Sequence, residues 1–107
     1  MKNIYDVTEE FENQLGKYTG SRYVVTVDNA SNAIFLALMY EQVKGNDITI
    51  PNRTYPSVPC EIIHAGGNVK WEKVKGKTIK GAYQLKPTKV WDAALSFTTD
   101  MYKPGTH

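Results

Sequence analysis

Three short segments of the chain carry the residue types and spacing that could do chemistry. Asn29, Ala30 and Ser31 lie where a helix is predicted to begin, and free N–H groups, the helix dipole and the Ser31 hydroxyl suit a phosphate there. Tyr55 offers an aromatic ring that could stack on a flat cofactor. Asp92 follows a short apolar run, where a carboxylate needs a cation or hydrogen-bond donors. Together these residues could bind a flat, phosphorylated ligand with a protonated ring.

Each segment also has an interpretation that involves no ligand. Residues 29–31 fit an ordinary helix N-cap. The ring of Tyr55 could pack over the sheet edge, and Asp92 could cap whatever element follows it. A protonated pyridine nitrogen would give Asp92 both a charge and a donor, which is how an acid is used in a pyridoxal phosphate (PLP) site. The order and placement of the three segments favour the ligand interpretation.

The elements that must position these residues alternate between strand and helix. Residues 23–27 are β-branched and aromatic and predict a strand buried on both faces. Residues 47–51 predict a second strand and residues 90–93 a third, with helices after Asn29 and after Pro56. This order predicts an α/β fold with a mostly parallel sheet and flanking helices. In such sheets ligands bind beyond the carboxyl ends of the strands.

The flanking segments are predicted from local signals. A leading helix is expected from about Thr8 to Lys17, with Gly20 as its stop. Residues 68–74 alternate as in an edge strand or hairpin, and a short strand is expected near residues 83–85. The lysine-rich residues 70–89 predict a solvated hairpin or loop with a turn at Gly76, and residues 96–107 predict a loop.

The helix after Pro56 is expected to bury one apolar face. Val58, Ile62 and Ile63 are predicted to form this face. Cys60 lies in the same apolar context and is predicted to be a small buried side chain rather than a nucleophile.

Composition predicts one domain, residues 1–107, of an ordinary globular class. The net charge of +2 is too small to predict nucleic-acid binding. A single cysteine excludes an internal disulfide framework, and His64 and His107 lack metal-ligand spacing, so no metal site is expected. No apolar run approaches about 18 residues, so no membrane partner and a cytoplasmic location are expected.

In combination, the motifs resemble the DegT/DnrJ/StrS family of PLP-dependent sugar aminotransferases from about Phe11 through Gly105. The resemblance rests on F-E-x-x-L-x-x-Y-T-G-S at 11–21, N-A-S-N-A-I-F-L-A-L at 29–38, I-P-x-x-T-Y at 50–55, H-A-G-G at 64–67 and V-W-D-A-A at 90–94. It implies that the chain is the N-terminal portion of a type I PLP-dependent transferase large domain.

The resemblance implies PLP as cofactor and a role for four residues. Ala30 and Ser31 would hold the phosphate of PLP. Tyr55 would stack on its pyridine ring. Asp92 would pair with the ring nitrogen and keep it protonated, so that the ring can accept electrons.

The resemblance also implies that the chain is truncated and inactive alone. The family's Schiff-base lysine is expected after the P-G-T at residues 104–106, and none of the four residues above is catalytic. Leu95 stands where the family has a polar residue that touches the ring hydroxyl, and Ala30 stands where it usually has glycine. The lysines nearest Asp92 in sequence are expected to be too solvated to attack an aldehyde; they are Lys86, Lys89 and Lys103.

Three functions therefore stay open from the sequence. The first is a truncated homologue of an aminotransferase that acts on keto-sugar nucleotides. The second is a non-catalytic structural or interaction module, for instance from a viral or metagenomic source, that keeps the fold without PLP chemistry. The third is an unrelated α/β phosphate-binding protein. Because an open sheet leaves apolar edges and faces exposed, a homo-oligomer or a complementing chain is expected.

Overall fold

The computed structural model describes residues 4–74 and 81–107, so the predicted turn at Gly76 lies outside the described residues. Three helices and four short strands confirm the predicted α/β character. In chain order they are α1 (Asp6–Thr19), α2 (Ala30–Tyr40), β1 (Asp47–Pro51), α3 (Ser57–His64), β2 (Asn68–Glu72), β3 (Tyr83–Gln84) and β4 (Trp91–Asp92).

A β-α-β unit forms the centre of the fold. β1 and β2 pair in parallel from Asp47 opposite Asn68 to Pro51 opposite Glu72, and α3 is the crossover between them. The strands predicted at residues 47–51 and within 68–74 are therefore confirmed. The parallel pairing follows from the connection, because a helical crossover returns the chain to the same end of the sheet.

The second sheet is a small antiparallel hairpin. Tyr83 lies opposite Asp92 and Gln84 opposite Trp91, and an antiparallel bridge between Thr49 and Lys86 joins this hairpin to β1. The prediction of a mostly parallel sheet is thus correct for β1 and β2 but wrong for β4. β4 pairs with the chain that directly precedes it, since closing a short loop costs less entropy than reaching a distant strand.

The buried core is contributed by α2, α3, β1 and the segments next to β3 and β4. Ile34 and Leu38 lie one helical turn apart on α2, which gives that helix one inward face. Removing such side chains from water supplies about 1.5–3 kcal/mol each. The buried hydrophobic residues are Ile34, Leu38, Val43, Ile48, Ile50, Val58, Ile62, Ala65, Leu85 and Val90.

Two residues of α3 that were expected to be buried are exposed. Val58 and Ile62 are buried, but Ile63 is 62% exposed and Cys60 is also exposed. Val58 and Ile62 are four residues apart and share a face, whereas Ile63 and Cys60 are rotated away from it. The predictions of a buried Ile63 and a buried Cys60 are therefore wrong.

Residues 23–27 are not a strand, contrary to the prediction. Tyr23 is 77% exposed and Val25 is 83% exposed, so this segment is not buried on both faces. A strand needs a neighbour for its backbone hydrogen bonds, and within the described part of the chain no strand pairs with it. Instead the N–H of Thr26 donates to Oε2 of Glu12 at 3.1 Å.

The predicted leading helix is present as α1 and lies on the outside of the fold. It contains no buried residue, and it ends where Gly20 adopts a positive φ of 83° and donates its N–H to the carbonyl of Gly16. Its last turn is attached to the C-terminal loop: the rings of Tyr18 and Phe97 stack at 5.1 Å between centroids. Residues 96–107 contain neither helix nor strand, which confirms the predicted loop.

Candidate cofactor site

The start of α2 presents backbone donors, as the sequence predicts. Asn29 is the extended N-cap residue, and its Oδ1 accepts the N–H of Asn32 at 2.8 Å. Its carbonyl accepts the N–H of Ala33. The N–H groups of Ala30 and Ser31 precede that of Ala33, the first N–H with a carbonyl acceptor in the helix, so they have no partner within the helix. Two donors at the positive end of a helix dipole are therefore available to an anion.

The side chain of Ser31 links this helix start to a second one. Its Oγ donates a hydrogen bond of 2.8 Å to Oγ of Ser57, and both residues are half-buried. Ser57 is the first residue of α3. Sequence reasoning singled out Ser31 but missed Ser57. The available signal was that Ser57 also opens a helix directly after a polar turn that follows a strand.

One acid lies next to the same helix start. Oδ1 of Asp28 accepts a hydrogen bond of 2.6 Å from the side-chain amide of Asn32, which holds the carboxylate beside the first turn of α2. A negative charge there is stabilised by the helix dipole, but it repels an anion at the same helix end. A phosphate bound at this position would therefore be repelled by Asp28.

Tyr55 lies in the turn between β1 and α3. Its carbonyl accepts the N–H of Val58 at 3.0 Å, which begins the helix, while its side chain is 74% exposed. This exposure disagrees with the alternative in which the ring packs over the sheet edge. Most of the side chain is open to solvent, so the ring is accessible to a ligand.

Asp92 has two hydrogen-bond donors. The Tyr83 hydroxyl donates to Oδ2 at 2.8 Å, and the N–H of Ala94 donates to Oδ1 at 3.0 Å. No helix follows Asp92 among residues 93–107, so the carboxylate caps a turn and not a helix. A carboxylate offers about four acceptor positions, and among the described residues these two hydrogen bonds leave two of them for a further donor.

The phenol of Tyr83 is perturbed by this contact. Burial raises the pKa of Tyr83 well above its ordinary value, and the hydrogen bond and the charge of Asp92 raise this pKa further. Tyr83 therefore remains a neutral hydroxyl, and a donor to Asp92, at any physiological pH.

The strand registers place Asp92 at the same end of the fold as the two helix starts. Thr49 lies opposite Lys86, and extending this antiparallel register puts Tyr83 level with the residue after Pro51. Tyr83 in turn lies opposite Asp92. Asp92 is therefore level with the carboxyl end of β1, where the turn that leads to α3 begins, and β3 lies between the two.

The lysines considered as substitutes for a catalytic lysine are solvated. Lys86, Lys89 and Lys103 are all exposed. The Nζ of Lys86 lies 3.5 Å from Oε2 of Glu72, and the Nζ of Lys103 lies 4.8 Å from the centroid of the Trp91 ring. These positions agree with the expectation that none of the three is desolvated enough to act as a nucleophile.

An apolar cavity of about 370 Å³ lies elsewhere, between α1 and the C-terminal loop. Its lining includes Leu15, Trp91 and Phe97, but not the candidate residues of the cofactor site. Neighbouring residues of a strand point to opposite faces, so Trp91 and Asp92 face different sides. The cavity is therefore separate from the Asp92 carboxylate.

The polar groups at the carboxyl end of β1 fit PLP. Two N–H groups and the Ser31 hydroxyl match a phosphate, and the open acceptor positions of Asp92 match a protonated ring nitrogen. Leu95 is exposed and supplies no polar contact.

Within residues 4–74 and 81–107, no group of three His, Cys, Asp or Glu is placed to hold a metal ion. The helices of the described part are all too short or too polar to cross a membrane.

The comparisons with known proteins agree with the motifs. The model of the DegT/DnrJ/EryC1/StrS aminotransferase family matches residues 1–97 of the chain. This match confirms the family that the sequence motifs predict. No curated protein and no solved structure gave a significant match.

Proposed function

Because the chain belongs to the DegT/DnrJ/EryC1/StrS aminotransferase family, we propose that it binds PLP at the carboxyl end of β1. The observation that carries the proposal is the register that brings Asp92 to the same end of the sheet as the joined starts of α2 and α3. This arrangement offers phosphate donors and a carboxylate to one ligand.

Each residue has a distinct part in this proposal. The N–H groups of Ala30 and Ser31 and the Ser31 hydroxyl hold the phosphate. Tyr55 covers one face of the pyridine ring. Asp92 accepts a hydrogen bond from the protonated ring nitrogen, and the bound cofactor then supplies an electron sink. These four residues bind and orient the cofactor, and none of them is the nucleophile.

The complete reaction that we propose moves an amino group from an amino acid, such as glutamate, to a keto-sugar nucleotide. This reaction requires a lysine that attacks an aldehyde. Lys86, Lys89 and Lys103, the three lysines nearest Asp92 in sequence, are solvated, so none of these three is the lysine that we propose for this reaction. We propose that residues 1–107 hold the cofactor and need such a lysine from another part of the active enzyme for the reaction.

We further propose that a second copy of this chain covers the exposed apolar groove between residues 21–27 and α2. Tyr23, Val25, Leu36 and Tyr40 line this groove and are all exposed. The net charge of +2 gives little electrostatic repulsion between copies. Self-association would bury this surface. A complementing chain of different sequence could also bury it, so the test must distinguish these two partners.

Calorimetric titration with three ligands tests the cofactor proposal. PLP should bind more tightly than pyridoxal or inorganic phosphate, because only PLP uses both halves of the site. Asp92→Asn should weaken PLP and pyridoxal about tenfold but leave phosphate unchanged. Asp47→Asn, at the opposite end of β1, is the matched control and should change none of the three affinities.

Two results would count against this function. Equal weakening of all three ligands by Asp92→Asn would show that the carboxylate does not meet the ring nitrogen. No binding of PLP by the wild-type chain would favour the non-catalytic module instead.

A further inference from the structure

The carboxylate of Asp92 is held at both oxygens by its own hairpin. Tyr83 donates to Oδ2 at 2.8 Å, and Ala94 donates to Oδ1 at 3.0 Å. One contact comes from the neighbouring strand and the other from the turn that follows. The orientation of the carboxylate is therefore set by two donors that are independent of each other.

Tyr83 is itself fixed by packing. It is the cross-strand partner of Asp92, so the two side chains lie on the same face of the hairpin. Its ring is half-buried and packs against the hydrophobic core. Moving the phenol oxygen away from Asp92 would therefore disturb this packing.

We propose that Tyr83 is a positioning residue for Asp92: it holds the carboxylate by Oδ2 so that the open acceptor positions meet a protonated heteroaromatic nitrogen. This inference rests on the proposed function, in which that nitrogen belongs to PLP. The sequence motifs assign no role to Tyr83.

The physical need for Tyr83 follows from the geometry of aspartate. The final torsion of an Asp side chain has a broad energy minimum, so one hydrogen bond from Ala94 leaves the carboxylate free to rotate. The second hydrogen bond removes that freedom. Because the pKa of Tyr83 is raised by burial and by Asp92, the hydroxyl stays protonated and keeps donating at neutral and mildly alkaline pH.

Tyr83→Phe tests the proposal, because it keeps the ring and removes only the hydroxyl. In the variant without ligand, the NMR signal of the Ala94 amide proton should shift. This amide donates to Asp92, and the Asp92 carboxylate is less fixed once the Tyr83 hydroxyl is removed. Tyr5→Phe is the matched control: Tyr5 is exposed and distant in sequence, and the Ala94 signal should be unchanged. Far-UV circular dichroism checks that each variant is folded.

The second readout uses PLP labelled with ¹⁵N in its ring. In the wild-type chain the nitrogen signal should lie at the protonated position. In Tyr83→Phe it should move toward the unprotonated position, with PLP affinity reduced about three- to tenfold. A chain with 3-fluorotyrosine at position 83 keeps ring and hydroxyl, and its affinity should stay within about twofold of wild type.

The outcomes separate the two proposals. If the wild-type chain binds PLP and Tyr83→Phe changes neither the Ala94 signal nor the ring nitrogen, the role of Tyr83 is wrong and the cofactor proposal stands. Tighter PLP binding by Tyr83→Phe would also overturn the role of Tyr83. It would mean that the Tyr83 hydroxyl competes with the ring nitrogen for the Asp92 carboxylate. If the wild-type chain binds no PLP, the proposed function fails and the role of Tyr83 fails with it.

Discussion

Oγ of Ser31 donates a hydrogen bond to Oγ of Ser57 at 2.8 Å, although the two residues are 26 positions apart in the chain. This contact joins the first turns of α2 and α3, which also pack against each other. Two helix starts therefore lie side by side at the carboxyl end of β1. The sequence alone predicts each helix start, but the contact between them is a property of the fold.

The two serines should differ in their effect on PLP binding. Ser31→Ala removes a phosphate donor and should weaken PLP about tenfold in a calorimetric titration. Ser57→Ala removes only the hydroxyl that accepts the Ser31 hydrogen bond when no ligand is bound, so the affinity for PLP should change less than about twofold. Equal losses in both variants would show that Ser31 acts through Ser57 and does not contact the phosphate.

Asp28→Asn should strengthen binding of PLP and of inorganic phosphate. The substitution removes a negative charge beside the first turn of α2 but keeps an acceptor for the side chain of Asn32. We expect about two- to fivefold tighter binding at low salt and a smaller gain at 0.5 M salt, because salt screens exposed charges. Asp47→Asn carries the same charge change at the far end of β1 and should have little effect. An equal gain in both variants would mean that only net charge matters.

Ile62 and Ile63 should differ sharply in their effect on stability. Ile62 is 0% exposed and Ile63 is 62% exposed. Ile62→Ala should lower the free energy of unfolding by about 2–4 kcal/mol through lost burial and a cavity. Ile63→Ala should change it by less than about 0.5 kcal/mol. Urea unfolding measures both, and a large loss in Ile63→Ala would indicate that this side chain is covered, for instance by a second copy.

The free energy of unfolding should fall as pH rises above about 10 because of Tyr83. Its pKa is raised in the folded chain, so the folded state keeps a proton that the unfolded state loses above the ordinary pKa of 10.0. This contribution to stability is complete below that pH and is lost as pH rises. The urea midpoint should therefore drop more between pH 8 and pH 11 in the wild type than in Tyr83→Phe.

Tyr5→Phe is the control for the pH experiment. Its ring is exposed, so removing its hydroxyl should leave the pH dependence like that of the wild type. An identical drop in the wild type and Tyr83→Phe would contradict a raised pKa of Tyr83.

Val25→Lys should shift the chain toward a monomer in light scattering coupled to size-exclusion chromatography. A lysine in the exposed apolar groove between residues 21–27 and α2 places an unpaired charge in the proposed contact between copies. Val7→Lys is the control, since Val7 is exposed on α1 and outside this groove. A wild-type chain that is monomeric at high concentration would exclude self-association, and assembly only with a different chain would favour a complementing partner.

Elements with strong local signals are predictable from this sequence. Asn29 starts α2 through a side-chain cap, Gly20 ends α1 through its positive φ, and the apolar residues of β1 fill the core. These signals need only neighbouring residues. The positions of Ser31 and Asp92 follow from the same local elements, so the candidate residues could be identified before their surroundings were known.

Features that depend on tertiary partners are not predictable in this way. Residues 23–27 have strand-like composition, but no described strand pairs with them. The faces of α3 depend on where the sheet lies, so Ile63 and Cys60 were placed wrongly. The contact between Tyr83 and Asp92 requires the register of a hairpin, which sequence pattern does not fix.

The most direct test of the PLP site is an NMR titration of the uniformly ¹⁵N-labelled chain with PLP. The amides of Ala30 and Ser31 report on the phosphate end of the site, and the amide of Ala94 reports on Asp92 through its hydrogen bond. If PLP binds at one site, the three amide signals should shift together with one dissociation constant. A single PLP site that includes Ser31 and Asp92 would be contradicted by two results. One is that only the amides of exposed lysines shift, and the other is that Ala30 and Ser31 shift while Ala94 does not.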